Sequence, residues 1–179
     1  VVTDEQHRFG VAQRAALDRK GNNPHLLVMS ATPIPRTLAL IIYGDLDVSL
    51  IRELPKGRQP IDTFAIDPGK RGRALGFLKK QVDEGRQAYI VCPLIQEDGG
   101  ELASITRYME DLQKTPLSAC RIGALHGKLK PREKEALMAA FQAGELQILV
   151  STTVVEVGVD VPNANIMLIE NAERFGLSQ

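Results

Sequence analysis

Aromatic side chains and long hydrophobic runs are scarce in this sequence of 179 residues. Tryptophan is absent and aromatic residues make up 4% of the chain, which weakens any account of single-strand nucleic-acid binding by aromatic stacking. No apolar run approaches the roughly 18 residues that a membrane-spanning helix needs. No basic and then apolar leader precedes residue 1, so neither a membrane segment nor a secretory signal is visible in the printed residues.

Neither sign of charge is in excess, and cysteine is rare. Lys+Arg and Asp+Glu both number 22, so the formal net charge is zero, although a nucleic-acid groove needs only a local basic patch. Cys92 and Cys120 lie in or beside apolar runs, with no second Cys or His at metal-ligand spacing. We predict buried free thiols of a cytosolic protein rather than a disulfide or a redox pair.

Short apolar runs alternate with stretches of helical periodicity. Apolar residues recur at helical spacing in Leu75–Val82 and Leu102–Leu112, Asp67-Pro68 favours a helix start, and glycines 44, 85 and 144 favour helix ends. The runs predicted as strands are VVT, HLLVMSA, DVSLI, IDTFAI, AYIVCPL, RIGAL, ILVST and IMLIE. This alternation predicts an α/β fold, in which a parallel sheet is covered by helices on both faces and functional loops lie at the carboxyl ends of the strands.

A stretch rich in proline and lacking apolar periodicity divides the chain. We predict an incomplete first unit over residues 1–53, a linker over 54–62 and a second unit over 63–179. The first unit has about three strands and two helices, which is too little for a complete doubly wound domain, whereas the second has five strands and three helices.

Two adjacent carboxylates, Asp4 and Glu5, follow the first apolar run in "VVTDEQHRFG". One explanation is a divalent cation that needs one carboxylate and a water that needs the other. The simpler explanation is a solvated turn, and the decapeptide alone leaves both open.

Small hydroxyl residues follow another run, in Ser30-Ala31-Thr32 before "PIPRT". They would place hydrogen-bond donors at the same sheet edge as the acidic pair. Taken alone, capping of a helix by Thr32 with Pro33 at its first position is the more common explanation.

The second unit offers two further patterns. In "ALHGKLKPREK", His126 follows a predicted strand and precedes four cations that can contact phosphates, although a solvated helix start is the more usual explanation. In "ILVSTTVVEVGVDVPNAN", the hydroxyl of Thr152 can bind phosphate, Gly158 permits close approach of a ligand, and Asp160 can bind a ribose hydroxyl. A β-turn at Gly158 and Pro162 is the alternative. The four cations are Lys128, Lys130, Arg132 and Lys134.

In this order and spacing, the motifs resemble those of superfamily 2 helicases, most closely the bacterial RecG family of branch-migration helicases. The correspondence is "VVTDEQH" to motif II, "SAT" with "PIPRT" to motif III, "AYIVCPL" to motif IV, "HGKLKPREK" to the block before motif V, and "STTVVEVGVDVPNA" to motif V. The resemblance covers essentially the whole chain. "DEQHRFG" and "LPKGRQP" favour RecG over the transcription-repair coupling translocase, which usually has a second Glu where Gln6 stands.

The resemblance implies RecA-like domains that use ATP and Mg²⁺. Asp4 would hold the magnesium ion through its water shell, and Glu5 would orient and deprotonate the attacking water. Gln6 and His7 would relay the nucleotide state to two coupling residues, Ser30 and Thr32.

The resemblance also assigns roles in the second unit. Gly158 and Asp160 would approach the ribose and phosphates of the nucleotide. The residues expected to face the DNA backbone, without sequence specificity, are His126, Lys128, Lys130, Arg132 and Thr152.

Two parts of such a motor are missing from the printed sequence. No G-x-x-x-x-G-K-[ST] loop is present, and Arg174 has the wrong context for the family's Gln-x-x-Gly-Arg-x-Gly-Arg segment. We therefore expect a fragment that spans part of the first RecA-like domain and the second domain up to a point before motif VI, and that has no ATPase activity by itself.

The intact parent is expected to be a bacterial, cytoplasmic and nucleoid-associated ATP-dependent DNA helicase. It would remodel branched or double-stranded DNA such as stalled forks and Holliday junctions, with single-stranded DNA-binding protein as a partner and no membrane contact. Two alternatives stay open. One is the transcription-repair coupling motor, and the other is a non-catalytic RecA-like module that binds DNA or protein.

Overall fold

The structure is a computed structural model of the 179-residue chain. It describes residues 1–4, 25, 27–29, 47, 49–51, 53, 60–93, 100–152 and 161–175, without the side chains of residues 4, 100 and 101. The chain divides into two compact units between Pro60 and Ile61.

The first unit contains a pair of parallel strands. Strand β1 spans Val2–Asp4 and strand β2 spans Leu27–Met29. Their register pairs Val2 with Leu27 and Asp4 with Met29, so both strands end at the same edge. The strands expected in "VVT" and "HLLVMSA" are thereby confirmed, and the helices expected in this unit lie outside the described residues.

The second unit contains a four-stranded sheet in the order β4-β5-β3-β6, with all neighbours parallel. The strands are β3 at Gln87–Val91, β4 at Ile122–Leu125, β5 at Ile148–Ser151 and β6 at Ala164–Ile169. The described α-helices are α1 at Arg71–Asp83, α2 at Gly100–Leu112 and α3 at Pro131–Gln142. Short 3₁₀ turns occupy Pro68–Lys70, Pro116–Ala119 and Ala172–Arg174.

Helices cover both faces of this sheet, as the continuous apolar runs predict. Alternate strand residues point to opposite faces, which separates the core into two clusters. One cluster packs α1 and α2 against Ile90 and Val150. The other packs Phe141 of α3 against Tyr89 and Leu149. The predicted parallel, doubly covered sheet is confirmed for this unit.

Local sequence signals set the helix boundaries. Pro68 begins the 3₁₀ turn that leads into α1, as Asp67-Pro68 predicts. Gly85 and Gly144 lie just beyond the ends of α1 and α3 with φ of 90° and 76°, a left-handed conformation that glycine adopts without steric cost. These predictions are confirmed, whereas Gly44 lies outside the described residues.

Two predicted strands are not observed. Residues 61–66 of "IDTFAI" form no strand, and Ile61 and Phe64 are 78% and 80% exposed. The described residues of "DVSLI" also form no strand, and Ile51 is exposed. A strand needs a neighbour that completes its backbone hydrogen bonds, and an apolar composition alone does not provide that neighbour.

Within the ranges that the structure describes, no helix is both long enough and apolar enough to cross a membrane.

The two cysteines are free thiols in different environments. Cys92, directly after β3, is buried, and burial raises the pKa of its thiol to about 12 despite a hydrogen bond with Tyr108. Cys120 is only half-buried, which corrects the expectation that both are buried, because it lies after a short turn at the sheet margin. Burial also raises the pKa of Cys120.

We expect the thiols to react at different rates under native conditions. At pH 8 a thiol with a pKa near 12 is ionised in only about one molecule in ten thousand, and the thiolate is the reactive form. Iodoacetamide should therefore label Cys120 well before Cys92, as peptide mass spectrometry of timed samples would reveal. Equal labelling in guanidinium chloride is the control, and equal native rates would contradict the burial of Cys92.

Candidate functional site

The carboxyl edge of the first unit is the place where the acidic pair begins. Asp4 is the last residue of β1 and is paired with Met29, so Glu5 and Ser30 directly follow two neighbouring strand ends in the sequence. A carboxylate at the end of a parallel strand is an oxygen donor of the kind that Mg²⁺ prefers, so the position of Asp4 fits a magnesium nucleotide. Glu5, Gln6, His7, Ser30 and Thr32 lie outside the described residues.

The carboxyl edge of the second unit brings polar residues together. Cys92, His126, Thr152 and Glu170 each follow the last residue of one strand. Backbone hydrogen bonds continue the ladder past three of these ends, with Cys92 N–H donating to Ser151 O at 2.8 Å, Glu170 N–H to Val91 O at 2.9 Å and Thr152 N–H to Leu125 O at 3.3 Å. The four positions therefore lie along one edge, where α/β sheets bind their ligands.

Residues 126–132, named here the basic turn, leave β4 and enter α3. The N–H of Leu129 donates to His126 O at 3.2 Å, and the N–H of Lys130 donates to Oε2 of Glu133 at 2.7 Å. Pro131 occupies the first position of the helix, where its missing N–H costs nothing. The segment is thus a capped helix start, which agrees with the more usual explanation given for this basic run in the sequence.

The same turn presents its cations to solvent. Lys128, Lys130 and Arg132 are exposed, whereas Lys134 is half-buried. Capping by Glu133 fixes the backbone from which these side chains extend, so a helix start and a phosphate-contacting surface are compatible here. The structure supplies the exposure that a phosphate contact needs, and the contact itself stays a prediction.

His126 and Thr152 are less accessible than the cations. Thr152 is 4% exposed, and His126 is half-buried with an Nδ1 atom that is buried and has no hydrogen-bond partner among the described residues. Direct contact of the Thr152 side chain with DNA would require local movement. Their predicted DNA-binding roles stay predictions, as do the nucleotide-binding roles of Gly158 and Asp160, which lie outside the described residues.

A polar cluster of Arg71, Cys92, Tyr108 and Glu170, named here the Glu170 cluster, ties three elements to the same edge. Oε1 of Glu170 accepts hydrogen bonds from Nε of Arg71 and from the hydroxyl of Tyr108, each at 2.8 Å. The guanidinium of Arg71 also lies 5.8 Å from the centre of the Tyr108 ring. Because charge-assisted hydrogen bonds are strong, the cluster holds α1 and α2 to the end of β6.

Burial and charge together set the ionisation of this cluster. Burial opposes ionisation of Arg71, but the hydrogen bond and the charge of Glu170 outweigh it and raise the pKa of the guanidinium. Burial, with smaller contributions from Cys92 and Glu170, raises the pKa of Tyr108. Arg71 therefore stays protonated and Tyr108 stays neutral, which keeps the two hydrogen-bond donors in place.

The sequence reasoning missed the Glu170 cluster. Glu170 follows the apolar run "IMLI" directly, and Asn171 then adopts a left-handed conformation with φ of 48° that asparagine tolerates better than most residues. A carboxylate at a parallel strand end followed by Asn is a signal that could have marked this edge. Its partners on α1 and α2 are 99 and 62 residues away in the sequence, which no local pattern reveals.

The parallel sheet and the helices on both faces define an α/β domain of the doubly wound class. Residues 70–178 match the family model described as the helicase conserved C-terminal domain. This match covers more than half of the chain, and the chain belongs to that family.

Curated relatives are similar to this chain over its whole length. The sequence is 56% identical to the ATP-dependent DNA helicase RecG of Synechocystis and 50% identical to that of Bacillus subtilis, over 100% of the chain in both cases. A solved structure of RecG bound to a three-way DNA junction is 44% identical over 99% of the chain, with a TM-score of 0.75. The predicted resemblance to RecG and the predicted RecA-like α/β fold are confirmed.

The chain spans about a quarter of the length of these relatives. It covers 22% of the Synechocystis protein, 26% of the Bacillus protein and 22% of the solved RecG chain. The similarity therefore shows the family of this chain, and it does not by itself show the activity, substrates or partners of the complete gene product.

Proposed function

We propose that the complete gene product is an ATP-dependent double-stranded DNA translocase that remodels branched DNA, such as stalled forks and Holliday junctions, and that this chain supplies part of its motor. The observation that carries the proposal is the similarity over the whole chain to proteins named RecG. The similarity to a RecG structure bound to a three-way junction supports branched DNA as the substrate.

The proposed nucleotide chemistry uses ATP and Mg²⁺. When bound, the magnesium nucleotide supplies the phosphoryl group that is transferred to water. Asp4, at the carboxyl end of β1, would hold the ion, and Glu5 would orient and deprotonate the attacking water. Gln6 and His7 relay the nucleotide state to the coupling residues Ser30 and Thr32.

The proposed DNA contacts are made to the backbone. The exposed cations of the basic turn contact phosphates, with His126 and Thr152 behind them at the sheet edge. Such contacts position DNA without reading its sequence. Gly158 and Asp160 bind the ribose and phosphates of the nucleotide.

The remaining assignments extend the same proposal. Residues 1–53 belong to the first RecA-like domain, residues 54–62 link the domains, and residues 63–179 belong to the second domain. The enzyme acts in the bacterial cytoplasm at the nucleoid, where its DNA is, and single-stranded DNA-binding protein is a partner there.

The RecG motor is favoured over both alternatives. Each relative reported above is a RecG protein, which favours it over the transcription-repair coupling translocase. In a non-catalytic module the acidic pair would have no role, so Asp4→Ala would leave nucleotide binding unchanged. In the motor, that change removes the carboxylate that holds Mg²⁺ and weakens binding of the magnesium nucleotide.

The test measures ATP hydrolysis by the complete gene product on a three-way DNA junction, with single-stranded DNA of equal length as the comparison. We expect the junction to stimulate turnover strongly. The 179-residue chain alone should show no DNA-stimulated turnover, because its sequence has no G-x-x-x-x-G-K-[ST] loop. A complete protein that does not hydrolyse ATP on any branched DNA would refute the motor assignment.

A further inference from the structure

An open groove of about 490 Å³ lies beside the basic turn. Of the lining residues that the structure describes, five come from the outer face of α2, and one, Lys128, comes from the turn after β4. The residues from α2 are Leu102, Ala103, Thr106, Arg107 and Glu110. The groove therefore lies between helix α2 and the basic turn, which are not adjacent in the sequence.

The groove carries cations on both walls. Arg107 and Lys128 are both exposed and line it from α2 and from the turn, whereas Glu110 is the one carboxylate among the lining residues that the structure describes. The next carboxylate along α2, Asp111, is not among the described lining residues, but its pKa is lowered by its hydrogen bond with Lys114 and also by the charge of Arg107. Among the described lining residues, two cations against one carboxylate make the groove attractive to an anion, and Glu110 limits that attraction.

The remaining lining suits the less polar part of a nucleic-acid backbone. Leu102 is 47% exposed, and the hydroxyl of Thr106 is already committed as a donor to the carbonyl of Leu102 at 2.8 Å. Such a wall offers apolar contact to a sugar between two phosphates.

We propose that this groove binds the sugar-phosphate backbone of DNA, with Arg107 and Lys128 contacting phosphates from opposite walls. The inference rests on the proposed DNA-translocating function and extends it, because it adds α2 to the DNA-contacting surface. Arg107 lies outside the basic run "KLKPREK", so no sequence pattern marks it. The planar guanidinium of arginine suits phosphate contact particularly well.

The experiment measures binding of the complete gene product to a labelled three-way junction by fluorescence anisotropy across a range of salt concentrations. Each lost phosphate contact reduces the slope of log affinity against log salt by about 0.9. We expect Arg107→Ala to reduce the slope by that amount and to weaken binding about fivefold, uniformly across DNA sequences. Arg107→Ala combined with Lys128→Ala should reduce the slope by about 1.8.

Three further variants sharpen the test. Arg107→Lys keeps the charge and should restore most of the salt slope. Glu110→Gln removes the described lining carboxylate and should tighten DNA binding. Arg86→Ala is the matched control, because Arg86 is an exposed cation just before β3, at the opposite edge of the sheet, and it should leave the slope unchanged.

The outcomes separate this inference from the proposed function. If the unaltered protein binds no DNA, both fail. If it binds DNA normally but Arg107→Ala behaves like Arg86→Ala, the groove inference alone is overturned. If Arg107→Ala instead abolishes binding of labelled poly-glutamate and leaves DNA binding unchanged, the ligand of the groove is an acidic protein and the inference is again wrong.

Discussion

Replacing Glu5 by Gln in the complete gene product should lower DNA-stimulated ATP hydrolysis by about 100- to 10,000-fold, the usual contribution of a general base. Glutamine keeps the size and hydrogen-bonding shape of the side chain but cannot accept the proton of the attacking water. In the proposed motor magnesium binding depends on Asp4, the last residue of β1, so the change should leave it intact. Hydrolysis is therefore lost while nucleotide and DNA affinities change by less than about twofold.

The measurement is steady-state phosphate release with a three-way junction, paired with anisotropy titrations of DNA. Glu84→Gln is the matched control, since Glu84 is an exposed carboxylate at the end of α1 and its loss should not alter turnover. Turnover by Glu5→Gln at more than about a tenth of the unaltered rate would remove Glu5 from the role of general base.

Replacing Phe141 by Ala should destabilise the second unit by about 3–5 kcal/mol, the range for a buried Phe reduced to Ala. Phe141 is fully buried on α3, and its ring lies 5.0 Å from that of Tyr89 at an interplanar angle of 59°. The change removes both the buried area and this tilted aromatic pair, leaving a cavity beside Leu149. Domains are stable by only about 5–15 kcal/mol, so a large share of the stability would be lost.

Hydrogen exchange of the complete gene product, followed by mass spectrometry of peptides from β3 and β5, measures this loss within the unit. Phe77→Ala is the control, because it deletes the same side chain where it is 58% exposed on α1, and it should cost less than about 1 kcal/mol. Equal effects of the two changes would show that the core on the α3 face is assigned wrongly.

Much of the second unit is predictable because its signals are local. The helices over Arg71–Asp83 and Pro131–Gln142 start near a proline and are each followed by a glycine with positive φ, and these residues act through their own backbones. The four observed strands are apolar runs that happen to have neighbours in the sheet. Residues 61–66 have a similar composition but form no strand, because strand formation depends on partners that composition does not specify.

The features of the candidate site also divide into those that a local sequence pattern predicts and those that only the folded chain brings together. The basic turn is visible in the sequence because its cations recur at every second residue, and the structure adds the cap from Glu133 that orders their backbone. The Glu170 cluster and the groove beside Arg107 are long-range features, since they join residues from elements that only the folded chain brings together. Burial of Thr152 is likewise a property of the packed sheet and not of the hydroxyl pattern.

Strand separation is the most direct test of the motor assignment. A three-way junction with one labelled strand is incubated with the complete gene product, ATP and Mg²⁺, and the products are resolved on a native gel. The account predicts conversion of the junction that requires hydrolysable ATP and is lost with Glu5→Gln. Conversion that proceeds equally without ATP or with Glu5→Gln, or no conversion of any branched DNA, would contradict it.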